Sequence, residues 1–316
     1  MIYKFKTEES GIGFDFDIDF EQNQKIYCII GKNGIGKTKL LEYMSKSLFY
    51  THSIFQKNEK LKYSNIFMQK GIYENIKSFE LDLPLDIEIN NIKLKDKNID
   101  KWKYTTFENI INRHHKFICD KPIVFIGAKN RGYTKNLNPD NIKILGDSKK
   151  RFIEVLNRTL SYMNGNGLEQ EEVANWFVSR LLINPNFIAQ DQNKINEVIT
   201  VLQLIERLEP SMQLVKKNNT GGYSLSIYYN EGQLFFGGIP FDKLSTGVIS
   251  IIKIFQEIVA SFGSWSKSEN LNMIDAIVFI DEIEAHLHIS WQTKIINILK
   301  DFFPNTIFFI TTHNFL

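Results

Sequence analysis

Gly31-Lys32-Asn33-Gly34-Ile35-Gly36-Lys37-Thr38 fits the pattern G-x-x-x-x-G-K-[ST], and its flanks decide the fold. Before it, Lys25-Ile26-Tyr27-Cys28-Ile29-Ile30 is a short apolar run that predicts a buried strand. After it, Lys37 to Leu48 predicts a helix. A glycine loop between a strand and a helix is a cradle for phosphate. The glycines let the backbone bend and bring its amides close to anionic oxygens. The helix then points free N–H groups and a partial positive charge at the same anion. In such a cradle Lys37 reaches the β- and γ-phosphates of a nucleotide, and Thr38 places its hydroxyl on Mg²⁺.

Outward from the loop, strands alternate with helices. Toward the N-terminus, Phe14-Asp15-Phe16-Asp17-Ile18-Asp19-Phe20 alternates apolar and acidic residues, which predicts a half-buried strand with a solvated face. An acidic metal site is the competing reading, and alternation alone explains the pattern. Leu81 to Ile89 alternates like exposed β structure, and Pro122-Ile123-Val124-Phe125-Ile126-Gly127 reads as a core strand. Three helices are predicted over Arg151–Met163, Glu169–Ile183 and Lys194–Leu208, each ended by Gly or Pro. Tyr223 to Tyr229 and Gln233 to Phe236, joined by Asn230-Glu231-Gly232, read as a hairpin. A helix (Ser245–Phe262), a strand (Ala276–Ile280), a helix (Ser290–Phe303) and a strand (Thr306–Thr311) follow. This order implies an α/β fold with a parallel sheet that binds ligand at its carboxyl edge.

Three further motifs refine the chemistry. Ile277-Val278-Phe279-Ile280-Asp281-Glu282 is an apolar strand that delivers two acids to that edge. Asp281 can hold Mg²⁺, and Glu282, pointing elsewhere, can polarise an attacking water. A strand ending in a solvated acidic turn is the plain alternative, and the upstream loop weighs against it. Asn305 to His313 is an apolar strand ending in Thr-Thr-His. His313 can donate to a γ-phosphate, although a lone surface His would look the same. In Leu244-Ser245-Thr246-Gly247, Ser245 is a good N-cap and the amides of Ser245 to Gly247 form a second anion site. One nucleotide does not need two helix starts some 210 residues apart in one subunit. A head-to-tail dimer uses both, while an ordinary N-cap needs no partner.

The order of these motifs resembles an ABC-type ATPase head. Leu244-Ser245-Thr246-Gly247 resembles the ABC signature, usually Leu-Ser-Gly-Gly. Asp281-Glu282-Ile283-Glu284-Ala285-His286-Leu287-His288 resembles the acidic block of the OLD-like and related AAA ATPases (AAA_15/AAA_21-like) of bacterial anti-phage systems. The resemblance implies ATP and Mg²⁺ as ligands. It implies a P-loop NTPase fold with a β-rich N-terminal lobe and a helical insertion. Residues 1–135 would form the first part of the head, 136–240 the insertion plus hairpin, and 241–316 the second part. Catalysis would fall to Glu282, His313 and Lys37. Nucleotide contacts would fall to Gly31, Asn33, Gly34, Gly36, Lys37, Thr38, Lys39, Ser245 and Gly247, and metal binding to Thr38 and Asp281. His286 and His288 could suggest zinc with Glu282 and Glu284. The resemblance instead makes them part of the loop that crosses to the partner subunit.

Three departures stand out. Ile283 replaces the usual Pro after the acidic pair. No Q-loop glutamine is identifiable, and Lys129-Asn130-Arg131 stands in its place. The sequence stops at Leu316, three residues past His313, where family members usually continue. The sequence is therefore expected to be truncated or to continue beyond 316, which leaves room there for an effector domain.

Composition sets wider bounds. The 316 residues suffice for a sizeable core. The 25 Phe are scattered, which reads as a Phe-rich core. A net charge of +2 does not fit a strongly basic nucleic-acid binder, though a local stripe leaves DNA or RNA open as a partner. Cys28 and Cys119 lack metal-ligand spacing and read as two buried thiols of a reducing compartment. No apolar run approaches the length of a membrane span, and a soluble cytoplasmic protein is expected. The expected partners are a second copy of the chain, in a homodimer or higher oligomer, and a nuclease-like effector. A DNA-repair or chromosome-organising head is a competing reading, but the helices lack long heptads. A transporter subunit and a nucleotide-sensing scaffold with little hydrolysis are the others.

Overall fold

Strands that are apolar along their whole length need cover on both faces. Ile123–Ile126, Ile277–Ile280 and Ile307–Thr312 are buried at every position. In the computed structural model they lie side by side. The structure describes residues 2, 4–8, 15–55, 66, 69–82, 86–90, 92–93, 119–129, 131–132, 147–165, 173–181, 188–219, 222–266, 268 and 270–313. In chain order the first elements are β1 (Lys4–Glu8), β2 (Asp17–Asp19), β3 (Ile26–Ile30), α1 (Lys37–Tyr50), α2 (Lys70–Asp82), β4 (Asp86–Ile89), β5 (Ile92–Lys93) and β6 (Ile123–Ile126). Then come α3 (Ser148–Met163), α4 (Val173–Leu181), α5 (Ile188–Leu208), β7 (Val215–Lys217), β8 (Tyr223–Leu225), β9 (Ile227–Asn230), β10 (Gln233–Phe236) and β11 (Ile239–Pro240). The chain continues through α6 (Thr246–Trp265), β12 (Ile277–Ile280), α7 (Ile289–Phe302) and β13 (Ile307–Thr312).

The central sheet has the order β3-β13-β12-β6, all parallel. Successive side chains point to opposite faces, so each strand feeds two cores. Val124, Ile126, Val278, Ile280, Phe308 and Ile310 pack with α4, α5, α6 and α7. Ile123, Phe125, Ile277, Phe279, Ile307 and Phe309 pack with α1, α2 and α3. On this second face the rings of Tyr27, Phe309, Phe279 and Phe125 form a row across all four strands. Their centroids are 4.9, 5.2 and 6.2 Å apart and their planes lie within 12–22°. They are register partners on neighbouring strands. The α/β fold expected from the motifs is therefore present. A second, antiparallel sheet of order β2-β1-β4-β5 supplies the β-rich N-terminal lobe.

Several local expectations change. The strand before the glycine loop is not buried. β3 lies at the end of the strand order, and Cys28 and Ile30 are exposed there. Only Cys119 is a buried thiol. Of the alternating residues 14–20, Phe14 lies outside the described set, and among 15–20 three form a strand, β2, with Phe16, Ile18 and Phe20 partly buried against the core. Leu81 and Asp82 end α2 rather than begin a strand, and Ile89 of β4 is fully buried. The first and third central helices start three and six residues earlier than periodicity suggests, and the predicted ends of the second fall in residues 166–172 and 182–187, outside the described set. The hairpin closes through Glu231-Gly232, with φ of 47° and 82°. Two left-handed residues make the turn whose twist matches its strands.

Helix α6 is long and apolar enough on average to cross a membrane by length and composition, although its apolar run is broken by Ser250, Lys253, Gln256 and Glu257. However, 83% of the relevant window is buried inside the protein. Its apolar surface is spent on the sheet, as in a core helix.

Candidate functional site

The glycine loop connects the carboxyl end of β3 to α1. Gly34 and Gly36 have φ of 81° and 90°, a region that side chains with a Cβ avoid. Asn33 and Gly34 are exposed at the turn. Gly36 stands at the N-cap of α1, so the first amides of that helix face the loop.

Lys37 folds back over this loop. Its Nζ donates to the carbonyls of Gly31 (2.7 Å) and Lys32 (3.0 Å), and lies 3.0 Å from His313 Nδ1. An ammonium has three hydrogens, and these acceptors use all three. With Nδ1 accepting, the ring proton belongs on Nε2, which lies 3.3 Å from Glu282 Oε1. Lys37, His313 and Glu282 thus form a continuous chain from the loop to the acidic pair.

Next to it stands a second group. Thr38 Oγ1 is 3.0 Å from each carboxylate oxygen of Asp281. Thr311 Oγ1 donates to Asp281 Oδ1 at 2.6 Å and accepts from the Glu282 amide at 2.8 Å. Burial pushes the Asp281 carboxyl above its ordinary range, against the pull of the Thr311 and Thr38 hydroxyls and of Arg131. A carboxylate and a hydroxyl are hard oxygen donors, the kind Mg²⁺ takes. No group of three or more potential His, Cys, Asp or Glu ligands occurs among the described residues. A Mg²⁺ held by one carboxylate plus substrate oxygens needs none.

Three supports have partners that the sequence did not reveal. Thr311 was visible only as part of an apolar strand. Glu284, nearly buried, accepts from the His313 amide through Oε1 at 2.7 Å and so fixes the end of β13. Arg131, 1% exposed, donates from Nη1 to the Asp281 carbonyl at 2.8 Å and from Nη2 to the Glu282 carbonyl. Burial lowers its pKa to about 10, with the nearby acids acting the other way. The signal for Arg131 was its place after β6, where a Q-loop would lie. Lys39 turns away from the loop to Glu42, with Nζ–Oε2 at 2.6 Å.

Ser245 and Gly247 lie in a different setting. Ser245 is the N-cap of α6, and its hydroxyl accepts from Val248 N at 3.3 Å. A Cβ on Gly247 would come within 2.9 Å of the His286 carbonyl, so this helix start backs onto the acidic block. Ser250 strengthens the contact by donating to the Ala285 carbonyl at 3.1 Å. The structure therefore gathers Gly31, Lys37, Thr38, Asp281, Glu282 and His313, and sets Ser245 and Gly247 on the other side of the 282–288 turn.

Residues 26–316 match the AAA_21 family, described as "AAA domain, putative AbiEii toxin, Type IV TA system". Septu protein PtuA of Bacillus mycoides (strain KBAB4) is 23% identical over 320 residues, covering 99% of this chain and 37% of that protein. Septu protein PtuA of Bacillus thuringiensis is 22% identical over 317 residues, covering 96% and 70%. The Retron Vc95 probable ATPase of Vibrio cholerae serotype O1 biovar El Tor is 26% identical over 150 residues, covering 46% and 28%. The chain thus spans well under half of the first PtuA protein and about seven tenths of the second.

Proposed function

Because the chain belongs to the AAA_21 family of P-loop ATPase domains, we propose that it hydrolyses ATP as one half of a head-to-tail dimer. Its opening and closing would control a nuclease or other effector in bacterial anti-phage defence. The division into 1–135, 136–240 and 241–316 belongs to this reading. The observation that carries it is the convergence of Lys37, Thr38, Asp281, Glu282 and His313 from the loop, α1, β12 and β13 onto one edge of the sheet. The names of the PtuA and retron relatives support the biological setting.

ATP enters the glycine loop. The α1 amides and Lys37 take its phosphates, for which Lys37 exchanges the carbonyls of Gly31 and Lys32. Thr38 and Asp281 would hold Mg²⁺, which would supply positive charge against the phosphates. Glu282 orients a water and accepts its proton, while His313 steadies the γ-phosphate. Ser245–Gly247 of a second copy closes the other side. Because ATP then touches both copies only in the closed form, its binding shifts the population toward that form. Positioning and charge stabilisation dominate phosphoryl transfer.

Glu282→Gln tests this reading. It is expected to keep nucleotide affinity and to lose roughly 10²–10⁴-fold in turnover, the scale of a general base. In light scattering the same variant gains mass on adding Mg-ATP. Full turnover removes Glu282 from the chemistry, and an unchanged mass argues against the shared site.

A further inference from the structure

Glu282 is one of the few described residues other than glycine with a left-handed backbone, at φ 46°. Among the described residues its side chain has one long contact, to His313 at 3.3 Å. A carboxylate so lightly held is aimed by its backbone, and that backbone is held on both sides. On the amide side, Thr311 Oγ1 accepts from Glu282 N and the Thr311 carbonyl accepts from Ile283 N at 3.1 Å. On the carbonyl side, the Arg131 guanidinium bonds two successive carbonyls, those of Asp281 and Glu282. Fork geometry suits two neighbouring acceptors in a way that an ammonium cannot copy.

The next residue extends the contact. A Cβ on Gly132 would lie 2.9 Å from Cγ of the His286 ring. Arg131 and Gly132 thus abut both the beginning and the later part of the 281–286 turn. A purely structural tie would not need a charge, because burying a guanidinium is costly unless acids compensate it. Here Asp281, Glu282 and Glu284 supply the compensation, and Tyr162 lies close by. The guanidinium stands behind the acidic pair, bonded to its backbone.

The geometry points to Arg131 as the positioning residue of the hydrolytic step. It holds Glu282 in the left-handed conformation that directs its carboxylate toward His313 and the attacking water. The role rests on the reading of Glu282 as the base. It also ties the aim of that base to Arg131 and Gly132 after β6, so a displacement of these two residues changes turnover without touching the phosphate cradle.

The test compares the full chain with Arg131→Met, Arg131→Lys and Glu282→Gln. It measures steady-state turnover, nucleotide affinity by fluorescent-nucleotide titration, and folding by circular dichroism. In Arg131→Met, turnover falls roughly 10–100-fold, the scale of a reacting group misplaced by about 1 Å, while affinity stays within about threefold. Arg131→Lys, which restores the charge and one bond, recovers part of the loss. Parent-like turnover in a folded Arg131→Met overturns the role, as does an equal loss of turnover and affinity. If Arg131→Met does not fold, Arg131→Lys decides by the same two criteria. Glu282→Gln separates the failures. If it is inactive while Arg131→Met is fully active, the positioning role alone is lost. If it is fully active, the reading of the base and the role of Arg131 fall together.

Discussion

The two helix starts that could meet a phosphate are built differently. At the first, the residues converging on the loop bond one another: Thr38 to Asp281 to Thr311, and Lys37 to His313 to Glu282. At the second, Ser245 is exposed and its hydroxyl caps its own helix, while Gly247 packs on the His286 carbonyl. The first has the internal order of a site whose chemistry is assembled within one chain. The second is a capped helix start backed by the acidic block, with Ser245 exposed and Gly247 buried. The contrast teaches that two helix starts can differ sharply in how many other elements reach them. The 282–288 turn touches both.

Lys37→Ala strikes hardest at the first region. Removing a cation that makes charge-assisted bonds to phosphate should weaken nucleotide binding by roughly 10²-fold, or about 3 kcal/mol. Calorimetric titration with Mg-ATP checks it, and full-affinity binding would move the cradle elsewhere. Ser245→Ala addresses the second region. Loss of the cap should cost about 1 kcal/mol, a fall in Tm of roughly 1–2 °C for a chain of this size. Affinity at the first loop should not change in the isolated protomer. A parallel fall in affinity would mean that the two helix starts act as one site within a chain, and the comparison would break.

The smallest effect concerns Lys253, two turns into α6. Burial pushes its ammonium down to about 8, with Glu257 opposing. Between about 8 and the ordinary value of 10.5 the unfolded chain holds more protons than the folded one, so stability rises with pH across that window. Below it both states are charged and the burial cost is present in full. Lys253→Met should therefore raise stability at pH 7 by roughly 1 kcal/mol and flatten the rise between pH 8 and 10.5. Chemical denaturation of parent and variant at pH 7 and pH 10 would show this. A variant that is less stable at pH 7 would instead make Lys253 a net stabilising part of the helix.

The glycine loop, the acidic pair and His313 were legible because each is a local pattern: a strand, a change of residue type, and a turn or helix. The sheet was legible for the same reason. Exposure of β3 was not, because an apolar run looks alike in the middle of a sheet and at its end, and only strand order separates the two. Thr311 was hidden inside a strand whose burial explained it. Arg131 was placed by sequence but its partners were not, since its hydrogen bonds reach 150 and 151 residues along the chain. Left-handed Glu282 was equally hidden, because Glu carries no sign of that backbone.

The row of Tyr27, Phe309, Phe279 and Phe125 acts as a levelling bar for the carboxyl edge of the sheet. A strand that slipped by one residue would turn its aromatic ring to the opposite side of the sheet. The stack therefore sets how far each strand projects beyond it. Asp281 and Thr311 each emerge two residues past their rings, and Gly31 and His313 each emerge four past theirs. Atoms far apart in sequence thereby reach the same height above the sheet, and the alignment of the edge is decided in the oily interior below it.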